Sequence, residues 1–131
     1  MNYDRTVSLT SDFATTVDAV REALAAQGFG VLTEIDLAAT LKAKLGHDME
    51  DYLILGACNP SLTRRAIEAD RTIGLLLPCN VVVRREGDHT IVQALDPNTM
   101  LALTGLPALQ PVAQEAAARL DAALASLADR R

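Results

Sequence analysis

The sequence predicts one α+β domain over residues 1–131, a mainly antiparallel sheet with helices packed on one face, in the order β-α-β-α-β-α-β-β-α-α. Three observations predict it. Short runs that alternate with period two recur between segments whose apolar residues fall three and four apart. Most helical segments open at a Ser, Asp or Asn cap, and Gly or Pro residues mark where several of them stop. Two β-branched runs, Asn80–Arg85 and Thr90–Leu95, flank Gly87-Asp88, and such a pair makes an antiparallel hairpin.

Tyr3, Arg5, Val7 and Leu9 share one side of a first strand. Ser11 or Asp12 caps a helix whose stripe is Phe13, Val17, Val20 and Leu24. Gly28 suits the left-handed position after it, and Phe29 can fold back onto Leu24. In the next strand Phe29, Val31, Thr33 and Ile35 form one face, with Leu32 and Glu34 on the other. Asp36 caps a second helix carrying Leu37, Leu41 and Leu45, stopped by Gly46. Tyr52–Ala57 is apolar on both faces, as an interior strand requires.

Asn59-Pro60 opens a third helix, with proline at the first helical position, where its missing N–H is not needed. Asp70 caps a short turn through Ile73–Leu76, with a strand as the alternative reading of so short an apolar run. Asp96-Pro97 starts a short helix ending near Gly105. Pro111 opens the last, which buries Val112, Ala116, Leu120, Ala123, Leu124 and Leu127 and sets Glu115 four residues before Arg119. The stretch Thr104–Gln110 is the one candidate hinge.

Composition narrows the function classes. The chain is 50% hydrophobic and 22% charged, ordinary for a folded domain. Its net charge is −5, and the pairs Arg64–Arg65, Arg84–Arg85 and Arg130–Arg131 are scattered among acids, which argues against a phosphate-backbone partner. Aromatics are only 3%, too few for a base-stacking platform. No stretch approaches the ~20 apolar residues of a membrane span. The start Met1-Asn2-Tyr3-Asp4-Arg5 has no apolar run behind basic residues, so a cytoplasmic location is expected, with free thiols rather than a disulfide.

Phosphate loops, dinucleotide fingerprints, nucleophile elbows, zincin motifs and CxxC pairs are all missing from the sequence. Two cysteines stand out by their setting. Cys58 ends the apolar strand immediately before a helix start, where unpaired amides favour thiolate. Cys79 begins the hairpin. With a two-residue loop, Glu86 pairs with His89, Val83 with Val92 and Val81 with Ala94, and the same count sets Cys79 opposite Asp96. Asn59 and Asn80 follow the two cysteines, and Glu34 and Asp96 are the available carboxylates. The competing reading is that each cysteine is a small core residue, Asp36 and Asp96 are caps, and Glu34 pairs with Lys42 or Lys44. A disulfide would need Cα atoms within about 7 Å. A zinc site would need His47, Glu34 or Asp96 to complete it.

Several segments resemble the prokaryotic family called domain of unknown function 302: Gly28–Asp36, Leu41-Lys42, Leu45-Gly46, Ala57-Cys58-Asn59-Pro60, Ile73–Val81, and Asp96-Pro97 followed by Met100. They run in order through nearly the whole chain. The resemblance implies a compact α+β fold and, for many members, a homodimer; it implies no activity and no cofactor. It places Glu34, Asp36, Cys58, Asn59, Cys79 and Asn80 inside family motifs.

The resulting expectation is a small ligand- or metal-binding module built round Cys58, Asn59, Cys79 and Asn80, with Glu34 and Asp96 supplying charge. The alternatives are a thiol redox or sulfur-transfer enzyme using Cys58, and an interaction domain that dimerises through Leu101, Leu103, Leu106 and Leu109. Whether the chain is an enzyme, and which ligand it takes, stay open at this stage.

Overall fold

The computed structural model describes residues 3–129; Met1, Asn2 and the Arg130–Arg131 pair lie outside them. Five strands, β1 (Asp4–Leu9), β2 (Gly30–Asp36), β3 (Tyr52–Cys58), β4 (Cys79–Glu86) and β5 (His89–Leu95), form one sheet in the order β1-β5-β4-β3-β2. Every pairing in it is antiparallel. Five helices accompany it: α1 (Phe13–Ala26), α2 (Leu37–Leu45), α3 (Pro60–Ala69), α4 (Asn98–Thr104) and α5 (Gln110–Ala128). The α+β class and the element order are as the sequence predicts. The ambiguous run after α3 is a 3₁₀ helix, Arg71–Leu76, and not a strand.

Side-chain chemistry sets the boundaries. Asp12 caps α1 by accepting from the Thr15 N–H at 2.7 Å. At its far end Gly28 has φ +84°, and the N–H groups of Phe29 and Gly28 bond the carbonyls of Leu24 and Ala25, which is the Schellman closure expected there. Asp36 caps α2 through the Ala39 N–H at 2.9 Å. Asp96 accepts from the Asn98 N–H at 2.9 Å, so α4 begins two residues later, at Asn98.

The period-two alternation sends Val7, Leu9, Leu53, Leu55, Val81, Val83, Val92 and Ala94 to one face of the sheet, where α1 and α5 cover them. A second core sits beyond the sheet's end: Leu62 and Ala66 of α3, Ile73, Met100 of α4, Leu109, and Val112 and Ala116 of α5. The candidate hinge is part of it. Pro107–Leu109 forms a 3₁₀ turn that buries Leu109.

Two expectations about β2 and its neighbour change. The β2–β3 register shifts between Val31 and Thr33, so Val31 faces Ala57 but Thr33 faces Gly56. One extra residue at that point turns Thr33 and Ile35 to the opposite side from Val31. Glu34, opposite Leu55, and Asp36, opposite Leu53, therefore face the helices. The leucine stripe of α2 also finds no core: that helix has no buried residue, and Leu45 is 75% exposed.

Candidate functional site

The hairpin forms with the predicted register, Glu86 to His89, Val83 to Val92 and Val81 to Ala94. The ladder stops there, two residues short of the predicted Cys79–Asp96 pair. Asp96 turns instead toward β1: its N–H bonds the Tyr3 carbonyl at 2.8 Å, and its carboxylate meets Arg5 at 3.4 Å. Arg5 also holds Asp121 at 2.7 Å, so Asp96 belongs to a clamp joining β1, α4 and α5.

The neighbour of Cys79 is β3. Cys79 pairs with Ala57, one residue before Cys58, so the two cysteines begin and end adjacent strands at the same end of the sheet. Both are free thiols of intermediate burial. Burial pushes the Cys79 thiol above its ordinary value, and the neighbouring Cys58 adds to the effect because two thiolates would repel. The Cys58 sulfur lies 3.1 Å from the Thr63 hydroxyl, one turn into α3.

Asn59 caps α3, its Oδ1 accepting from the Leu62 N–H at 3.3 Å. Its side chain is buried against Gly28, where an added Cβ would stand 3.0 Å from Asn59 Nδ2. Asn59, Thr63 and Cys79 share a crevice of about 20 Å³ with Leu62, Leu77 and Met100. Beside it Arg119 donates to the Gln27 carbonyl at 3.2 Å, and Arg65 and Arg119 hold the Glu115 carboxyl below its usual range.

Three predicted site residues lie elsewhere. Asn80 pairs with Gly56 and so sits on the opposite face of the sheet from Cys79. Glu34 is ion-paired with Arg21 of α1 and not with Lys42 or Lys44. Its register position is three β3 residues, about 10 Å, from Cys58. Asp96 is held in the Arg5 clamp. Among the described residues no group of three or more His, Cys, Asp and Glu is placed to hold a metal, so the zinc completion by His47, Glu34 or Asp96 does not form. Thr63 was missed by the sequence reading, although its position five residues after Cys58, inside a helix opened by Asn59-Pro60, brings it back over the strand end.

The expected dimer patch also dissolves: Leu109 is core, Leu101 and Leu106 pack against it, and only Leu103 of the four stays exposed. Among the described residues no helix is long and apolar enough to cross a membrane.

The sequence profile described as domain of unknown function DUF302 matches residues 5–127. A solved structure of an uncharacterised conserved DUF302 protein from Bacillus stearothermophilus is 30% identical, superposes with a TM-score of 0.88, and covers 95% of this chain and 97% of that one. No curated protein matches the chain.

Proposed function

Since the chain belongs to the DUF302 family, whose description gives no reaction, we propose from the geometry that it is a small-ligand-binding module whose ligand is a soft, thiophilic metal ion held by Cys58 and Cys79. The observation that carries this reading is that two free thiols stand at the same end of adjacent strands, near enough for Cys58 to raise the Cys79 pKa, with Cys79 lining a crevice of about 20 Å³ and Cys58 joined to it through Thr63. A space of that size takes one water or one ion and excludes an organic molecule. With no third acid or imidazole in reach among the described residues, zinc lacks its usual four ligands. Thiolates alone suit a monovalent soft ion such as copper(I).

Silver(I), a redox-inert stand-in for copper(I), is expected to bind one ion per chain and to protect both thiols from alkylation. Cys58→Ser and Cys79→Ser should each weaken binding by more than the roughly 10–100-fold that loss of an outer-shell partner costs. The sign of the pH dependence follows from Cys79: burial raises its pKa, the ion must displace that proton, and affinity therefore climbs as pH rises. Independent alkylation of the two thiols in the presence of silver would remove the site. A mixed disulfide on Cys58 that Cys79 resolves would favour the thiol-transfer enzyme instead.

A second reading, homodimerisation, is favoured by one observation. Leu32 and Ile35 on the edge strand β2 and Leu45 at the end of α2 are 68%, 47% and 75% exposed. We propose this edge as the self-association surface in place of the leucines between Leu101 and Leu109. The double variant Leu32→Asp, Ile35→Asp should run as a monomer in light scattering; an unchanged dimer would reject the patch.

A further inference from the structure

The face of the sheet opposite α1 and α5 carries a groove of about 340 Å³, bordered by Tyr3, Asp4, Tyr52 and Asn80 over a floor that includes Val82 and Leu95. That volume lies at the lower end of the range for small-molecule sites, room for one or two fused rings. It is far larger than the thiol crevice and lies on the other side of the sheet from it.

The lining departs from the rest of the molecule. The chain has two tyrosines, two phenylalanines and no tryptophan, and both tyrosines border this one groove. Phe13 and Phe29 pack with the core. Tyr3 is 65% exposed, a large ring left in water at a concave surface. Among the described residues neither phenol hydroxyl nor the Asn80 carboxamide has a hydrogen-bond partner. The neighbouring Gln93 is already engaged, accepting from Arg84 and donating to Thr6. Asp4 accepts from the Thr6 hydroxyl but meets no cation among the described residues, whereas the nearby Asp96 is paired with Arg5.

We propose that this groove is a second binding site, for a small planar aromatic or heteroaromatic cation. Each part of the lining matches one part of such a molecule. The tyrosine rings offer stacking and a negative face to the positive charge. The Asp4 carboxylate supplies the counter-charge, and the Asn80 carboxamide and the phenols offer hydrogen bonds in the plane of the ring. Val82 and Leu95 take up apolar surface. An anionic ring would be repelled by Asp4, and a cation without a ring would leave the tyrosines and the apolar floor unused.

The aromatic composition supplies the readout. With no tryptophan present, intrinsic fluorescence comes from Tyr3 and Tyr52, both at the groove. Benzamidine is expected to change the tyrosine emission saturably, and benzoate and guanidinium to bind at least roughly tenfold more weakly, about 1.4 kcal/mol of discrimination. Asp4→Asn should weaken benzamidine roughly tenfold, on the scale of one lost charge-assisted contact. Asn80→Ala, an exposed substitution that leaves the fold intact, should weaken it several-fold. Cys79→Ser should leave it unchanged, which separates this site from the thiol site. A linear, non-saturating emission change, equal for the three probes or indifferent to Asp4→Asn and Asn80→Ala, would overturn the proposal.

Discussion

Gly56→Val is expected to destabilise the protein by about 3 kcal/mol or more, at the upper end of what overpacking costs in a close-packed interior. Gly56 is buried in β3, between β2 and β4, where the β2–β3 register shifts. A Cβ built there would lie 2.2 Å from Thr33 Oγ1 and 2.8 Å from Pro78 Cγ, closer than real Cβ atoms come. The two neighbours differ in what they can yield. Thr33 is an exposed side chain on an edge strand and can change rotamer. Pro78 is a ring fixed to the backbone just before Cys79, and moving it moves the start of β4.

Gly56→Ala should therefore cost less, about 1–2 kcal/mol, after the modest gain from a less flexible unfolded chain. Thr33→Ala should relieve part of that loss, and a double-mutant cycle measures how much of the clash is threonine and how much proline. Chemical denaturation gives all of these values. A Gly56→Val protein within about 0.5 kcal/mol of the parent would mean that the close packing of β2, β3 and Pro78 is not as described. The same substitution also bears on function: displacing Pro78 shifts Cys79, so silver binding should weaken in Gly56→Ala even where the fold survives.

This glycine also shows what the sequence could not reveal. Gly28-Phe29 was readable because the Schellman closure is local: a glycine, an aromatic residue and Leu24 five residues back. The hairpin register was readable because a two-residue loop leaves no freedom in the count. The irregularity in β2 was not, since Leu32 is apolar and Thr33 is tolerant, so either phase of alternation looks acceptable. Only the packing of Thr33 over Gly56, a contact between strands, fixes it.

The thiol site follows the same division. That Cys58 precedes a capped helix was legible, but its neighbour depended on which strand lies beside β3, a non-local choice. Counting along the hairpin alone pointed Cys79 at Asp96, whereas strand order gives it Ala57. The separation of Cys79 from Asn80 was legible all along, because consecutive strand residues point to opposite faces. The leucines from Leu101 to Leu109 misled for a different reason. A stretch poor in charge reads as an exposed patch or as a core with equal ease, and the second core decides between them.

Leu55→Ala should lose about 3 kcal/mol, within the roughly 2–5 kcal/mol measured for large-to-small changes at fully buried sites. Leu55 is 0% exposed, centred on the face that α1 and α5 cover, and the space left behind has strand backbone on one side and helices on the other. Its neighbour Ile54 tests the same sheet from the other side. Ile54 pairs with Val82 and Ile35 on the face without α1 and α5 and keeps partial contact with water, so Ile54→Ala should cost only about 1 kcal/mol. The ratio of the two losses measures how one-sided the sheet is. Equal losses at every protein concentration would mean that the second face is covered within the chain, and the groove beside Tyr52 with it. A loss at Ile54 that grows with protein concentration would place a second copy there, because subunit association adds to stability by mass action while folding of one chain does not.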